Sequence, residues 1–269
     1  WATGFIAAKL GLPHAEPLGF LLIRYLLVLG LMTVVALATR ARWPHDARHW
    51  FHIGVSGLLV HGIYLGGVYI AIAKGLPAGV ASLVVGIQPL LTAVGAGWLL
   101  GEAVLGRQWF GLVLGFVGVA MVVSGKLGSG FGLDALWPVL AALAGITLGT
   151  LYQKRFCPSF DWRTGSIAQF LPTMLLTGIV AAMTEDFRVT WTCEFIFAMG
   201  WLVLVLSIGA ISLLNWLIRH GSAVNIASLF YLVPPCTALM AWGLFDERLA
   251  GTALVGMALA VWGVYLARK

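Results

Sequence analysis

The chain has 269 residues, 61% of them hydrophobic and only 10% charged, where soluble domains carry roughly a quarter charged residues. With a mean hydropathy of +0.98, this composition excludes disorder, nucleic-acid binding and a cytosolic enzyme, and makes lipid the solvent for most of the surface. The formal charge of +6 gives no sign of a nucleic-acid partner, because the basic residues sit between apolar blocks, where they set orientation in a membrane.

Charges, prolines and glycines divide the chain into ten apolar runs. The first half holds runs at about 1–11, 18–38, 50–72, 78–100 and 106–125, and the second at about 134–153, 165–184, 195–218, 223–245 and 250–267. A spanning helix needs about 20 residues, so the first run reads as the second half of a helix that starts upstream of Trp1, with no cleavable signal peptide. A membrane barrel would show alternating segments of about ten residues. The expectation is an all-α integral membrane protein of ten transmembrane helices. The glycine content, 34 residues, suits helices that pack backbone to backbone.

Lys and Arg set the orientation. One group of loops holds Arg40, Arg42, Arg48, Arg107, Lys154, Arg155, Arg163, Arg219, Arg268 and Lys269; the other holds Lys9, Lys74, Lys126, Arg188 and Arg248, with Arg24 just inside helix 2. The richer group belongs in the cytoplasm, and with it both termini, in a bacterial inner membrane. Cys157, Cys193 and Cys236 are far apart and have no ligand spacing, so no metal, cofactor or disulfide is expected.

An offset of 145 residues brings the two halves into register. It carries Pro89 onto Pro234, Thr92 onto Thr237, Glu102 onto Glu247, Gly111 onto Gly256 and Gly118 onto Gly263. Proline and glutamate are rare in this chain, so their coincidence marks a duplication, with repeats at 1–125 and 134–269. Five helices per repeat force the second copy to enter from the opposite side. That is an inverted-topology repeat, the architecture of many secondary transporters, although duplication can also simply build a larger bundle.

Four residues near span centres are candidates for substrate contact: His61, Tyr64, Gln88 and Tyr231. An ionisable group at the depth of His61 is costly and marks a candidate site, with Tyr64 three residues on and on nearly the same face. The alternative is a neutral imidazole bonded to a backbone carbonyl. Pro89, Pro234 and Pro235 interrupt their helices and free carbonyls beside Gln88 and Tyr231, for ligand contact or only to shape a gate. Glu102 and Glu247, at helix ends beside Arg107 and Arg248, read as structural ion pairs or caps. Gly62/Gly66, Gly97/Gly101 and Gly111/Gly115 allow close helix approach, and the glycine-rich stretch 128–132 reads as a linker between the repeats.

The stretch from Gln88-Pro89-Leu90 through Leu100-Gly101-Glu102, followed by Trp109, Gly111 and Gly118, resembles the EamA domain of the drug/metabolite transporter superfamily. A second copy runs from Pro234 through Phe245-Asp246-Glu247-Arg248-Leu249 to Gly256 and Gly263. Trp1, Lys9 and Arg24 fit the family's first two helices, and Leu151-Tyr152-Gln153-Lys154 fits the sixth. The resemblance implies a ten-helix exporter of small metabolites or drugs, such as an amino acid, with a cavity lined by helices 1, 3, 4, 6, 8 and 9. Aromatic amino-acid exporters of this superfamily carry aromatic residues just before the helix-4 proline, where this chain has Gly86 and Gln88.

The competing reading is a membrane-embedded enzyme such as a lipid-modifying transferase, but no DDxxD, HxxxxD or HExxH motif occurs. No filter loop points to a channel, and no GxxxxGK[ST] to ATP hydrolysis. All ten acidic residues fall in loops or at helix ends, whereas proton-driven transporters bury a carboxylate. The small multidrug exporters, distant relatives, rely on a glutamate in helix 1. The expectation is therefore an alternating-access transporter, monomeric or a loose homodimer, working by facilitated diffusion or exchange with at most a His61-dependent pH effect.

Overall fold

A computed structural model describes residues 1–269 apart from 45, 125–131, 158, 246–250 and 269. Glu247, Arg248 and most of the 128–132 linker therefore lie outside the described residues. Among the described residues, nine helices are long and apolar enough to cross a membrane. A ten-residue helix, α1 (Ala2–Gly11), precedes them. The nine are α2 (Pro17–Ala38), α3 (Ala47–Ala73), α4 (Val80–Leu100), α5 (Gly106–Ser124), α6 (Leu136–Phe156), α7 (Trp162–Thr184), α8 (Cys193–Ile218), α9 (Ala223–Leu244) and α10 (Gly251–Arg268). No strand occurs among the described residues, only an isolated bridge between Ala15 and Val189. Trp98, Phe110, Trp137, Met183 and Trp262 are exposed on the outside, as side chains facing lipid should be.

Polar side chains in the loops set where helices start. Asp46, Asp161, Thr192 and Ser222 each accept a backbone N–H from the first turn of the helix that follows, satisfying donors that the helix cannot. These caps start α3, α7 and α8 two or three residues earlier than their apolar runs. The start of α2 is capped from another loop: Glu185 accepts from the N–H groups of Leu18 and Gly19 at 2.9 and 2.7 Å. In the same loop layer Lys74 bonds Asp134 at 3.0 Å, which holds that carboxyl below its usual range.

Four of the spans depart from regular α-helix. In α3 the stretch Leu58–Leu65 is wound as π-helix, and so is Leu202–Ala210 in α8. The α-helical winding of α4 stops at Val85 and restarts at Gln88, with Pro89 in the new first turn, where a missing N–H is harmless. In α9 a 3-10 turn, Leu229–Leu232, separates Ala223–Ser228 from the segment beginning at Val233, which carries Pro234 and Pro235 in its first turn.

Glycine holds α5 against α10. A Cβ on Gly118 would stand 2.6 Å from the carbonyl oxygen of Gly256, and one on Gly263 would stand 2.6 Å from that of Gly111. Only hydrogen fits there, and the backbones touch. Two large buried clusters result. One centres on Phe20, Tyr25, Tyr64, Tyr69, Phe170 and Phe195, and the other on α5, α10 and Tyr231.

Candidate functional site

The π-helical segments of α3 and α8 both border a cavity between the helices. Trp1, Gly4 and Ala8 of α1 form one wall, and Tyr64, Leu65, Val68, Tyr69 and Ile72 of α3 another; Leu202 and Leu206 of α8 and Arg24 of α2 complete it. Trp1 is edge-on to Tyr64, with ring centroids 6.4 Å apart, and stacks on Phe230 at 6.0 Å. π-Helical turns are rare and concentrate at functional sites. Within the π-helical segment of α3, the His61 carbonyl accepts a hydrogen bond from the Tyr25 hydroxyl at 2.7 Å.

Of the four residues read as one site, Tyr64 lines this cavity, and His61, Gln88 and Tyr231 are not among its lining residues. The His61 ring is fully buried and stacked on Phe170, centroids 4.3 Å apart, with neither ring nitrogen hydrogen-bonded. The neutral imidazole read from sequence therefore has no backbone carbonyl as partner. Gln88 donates to Thr92 Oγ1 at 3.2 Å from within its own helix. Tyr231 is buried against Gly115, where an added Cβ would stand 2.5 Å from the phenol ring.

Glu102 pairs with Lys154 rather than with Arg107. The Glu102 carboxylate meets the Lys154 ammonium at 2.7 Å and accepts from the N–H of Ala223 at 3.0 Å. Lys154 also donates to the carbonyl of Gly221. One ion pair thus ties the end of α4, the end of α6 and the start of α9 together.

Two polar features escaped the sequence reading. Arg24, counted there with the loop charges, is 2% exposed and lines the cavity. Its place seven residues into α2, about 10 Å from the helix start at 1.5 Å per residue, was a usable signal of an intramembrane charge. The second is a chain of amides across α3, α6, α7 and α8. Gln153 donates to Asn215 at 2.9 Å, and Gln169 donates to Ser56 at 3.1 Å and to Gln153 at 3.3 Å. Isolated glutamine and asparagine residues in apolar runs give no sign that they will meet.

Among the described residues, the fold is that of a helical membrane protein with an aromatic cavity between its helices. The chain matches the model of the EamA-like transporter family over residues 1–124 and 135–268, and it belongs to that family. It is 28% identical to a Bacillus subtilis protein named "Uncharacterized transporter YvbV", over 99% of this chain and 87% of that one. It is 26% identical to an Escherichia coli (strain K12) protein named "Probable amino-acid metabolite efflux pump", over 99% of this chain and 90% of that one. A solved crystal structure, 21% identical, superposes with a TM-score of 0.80 over 99% of this chain and 92% of its own, which speaks for the fold alone. The family and these relatives are transporters, so the enzyme alternative falls and the resemblance read around Gln88–Glu102 holds.

Proposed function

We propose that this protein is a secondary transporter that exports a small organic solute of the amino-acid class across a bacterial inner membrane by alternating access. The observation that carries the proposal is the composition of the cavity wall: α1, α2 and α3 from the first half of the chain meet Leu202 and Leu206 from the second. A site shared by two halves is exposed to either side when the halves rock. In the orientation set by the loop charges, both termini are cytoplasmic and the cavity lies in the periplasmic half. The Glu102–Lys154 pair then closes the cytoplasmic end. Tyr64 is the member of the original four placed to touch solute there, and the Pro89 and Pro234/Pro235 breaks are the points where α4 and α9 bend. Gln88 and Tyr231, buried beside those points, and His61, buried against Phe170 of α7, would meet solute only once the halves have moved.

Ten spans arranged as two inverted repeats, 1–125 and 134–269, belong to the same proposal. The 145-residue offset supports it, since it carries Gln88–Leu100 onto Val233–Phe245 and the π-helical Leu58–Leu65 onto 203–210, inside Leu202–Ala210. The glycine contact of Gly111 with Gly263 maps onto that of Gly256 with Gly118, as a two-fold relation requires. The amino-acid class follows the name of the Escherichia coli relative.

None of the acidic residues described lies deeper in a span than its first turn, so exchange or facilitated diffusion is the proposed mode. Counterflow in proteoliposomes tests it. Labelled leucine should accumulate transiently in vesicles preloaded with unlabelled leucine, to the same extent with and without an imposed pH gradient. Accumulation driven by that gradient, and unchanged in His61→Ala, would overturn the exchange mode. No flux for any amino acid would overturn the substrate class.

A further inference from the structure

Among the described residues, the cation in the cavity has no counter-ion. Arg24 is buried to 2% exposure, and its Nε donates to Ser207 Oγ of the α8 π-helical segment at 3.0 Å. That bond fixes the plane of the guanidinium, whose Nη2 is buried and has no hydrogen-bond partner. Each of the eight acidic residues among those described has a partner elsewhere in the loops and helix ends, Glu16 and Glu185 with the backbone of the Arg188 and Leu18–Gly19 segments. What surrounds the charge is aromatic: Tyr25, His61, Tyr64 and Tyr69 all lie within its field.

An unpaired charge in a membrane interior is costly, and a chain that keeps one there uses it. A guanidinium offers paired N–H donors in a plane, the complement of a carboxylate. We propose that Arg24 is the oxyanion-recognition group of the cavity and binds the carboxylate of the transported solute. Tyr64 and Tyr69 flank that carboxylate, and Trp1, Val68, Leu202 and Leu206 enclose an apolar body behind it. Among the described residues, no acidic side chain lines the cavity to receive an ammonium group. The cavity therefore selects for a carboxylate attached to an apolar body, and the amine of an amino acid adds little.

This inference rests on the cavity being the transport site, but not on the solute being an amino acid. The same guanidinium chemistry would take a free inorganic anion, and the test separates the two. Wild type, Arg24→Gln and Arg24→Lys are reconstituted in nanodiscs and titrated with L-leucine, with 4-methylpentanoate (carboxylate, no amine), with isoamylamine (amine, no carboxylate) and with sodium chloride against sodium gluconate. Binding is read by thermal shift and equilibrium dialysis. Wild type should bind leucine and 4-methylpentanoate within about threefold of each other, and isoamylamine on the order of tenfold more weakly or worse. Arg24→Gln should lose the acids by a similar factor and keep the amine, with Arg24→Lys between.

Equal binding of the acids to wild type and to folded Arg24→Gln would overturn the proposal. So would a failure of wild type to bind either acid, or an Arg24-dependent response to chloride alone. Arg24-dependent binding of 4-methylpentanoate without leucine flux in proteoliposomes would uphold this inference while removing the amino-acid reading of the function.

Discussion

Arg24 of α2 and Gln169 of α7 are related by the 145-residue offset of the proposed repeat, and their surroundings differ. Around Arg24 the helices part: α1 faces α8 loosely enough that a Cβ on Gly4 would meet only Leu206, at 3.5 Å or beyond. Around Gln169 the helices close. The equivalent of Gly4 is Gly149 on α6, and a Cβ there would run into Val60 at 2.6 Å and Leu59 at 3.0 Å. On the charged side Arg24 bonds Ser207 beside a cavity; on the neutral side an amide chain runs from Ser56 to Asn215 through tight packing. Under the alternating-access proposal, surfaces related by the offset but packed in opposite ways are one conformation of a two-state machine.

The largest effect should come from placing the same side chain on both sides. Gly149→Val forces a branched side chain into a filled contact, and overpacking costs on the order of 1–3 kcal/mol. A marked fall in Tm, or loss of monodisperse protein, is the expected result. Gly4→Val should leave the ligand-free Tm within a degree or two of wild type, as the space there permits, while blocking flux by filling the cavity. Equal destabilisation by both substitutions would show that the packing asymmetry is not a property of the protein in a membrane.

A smaller effect is expected where the closed end is tied. Glu102→Ala leaves Lys154 with the Gly221 carbonyl and removes the acceptor for the Ala223 N–H. Losing a partly buried, charge-assisted hydrogen bond costs about 1–3 kcal/mol. Cys157, one residue beyond α6 and buried to 1% exposure, reports on that end. Its alkylation, read by peptide mass spectrometry, should speed up several-fold in Glu102→Ala, with Cys193, exposed at the start of α8, as an internal control. An unchanged rate at Cys157 would mean that the pair contributes nothing to closure.

The helices were legible in the sequence because apolar run length is set by the bilayer, and the runs at 18–38 and 106–125 match α2 and α5 nearly residue for residue. The π-helical segments were not legible. Whether a turn widens depends on tertiary contacts, such as that of the Tyr25 hydroxyl with the His61 carbonyl, and these come from dozens of residues away in the chain. The same blind spot split the candidate site. Depth along a span could be counted, but His61 and Tyr64 were put on one face by α-helical spacing. The wider i to i+5 winding of Leu58–Leu65 turns less per residue, so residues three apart fall further short of a full turn and off a shared face; Tyr64 lines the cavity and His61 stacks on Phe170. Arg24 was visible all along as an arginine between Phe20 and Leu29, and counting it as a loop charge hid it.

The smallest effect concerns the two helix starts, where the offset equates Glu16 with Asp161. Glu16 makes no side-chain cap on α2, which relies on Glu185 instead. Asp161 caps its own helix, accepting from the Arg163 N–H at 3.0 Å while its carboxylate pairs with the Arg163 guanidinium at 2.6 Å. The Arg163 hydrogen bond, outweighing partial burial, holds the Asp161 carboxyl below its ordinary value of 3.8. A carboxyl with a lowered folded-state pKa stabilises the protein above its unfolded pKa, and that contribution fades as the pH falls through the folded value. Asp161→Asn should therefore lower Tm at pH 7 by an amount equivalent to a few tenths to about 1 kcal/mol, the range for a largely solvent-screened pair. The gap between wild type and variant should close as the pH is taken below about 4. Glu16→Gln, without a cap to lose, should show a smaller gap at pH 7. If Glu16→Gln is the more destabilising of the two, α2 depends on its own loop residue and not on Glu185.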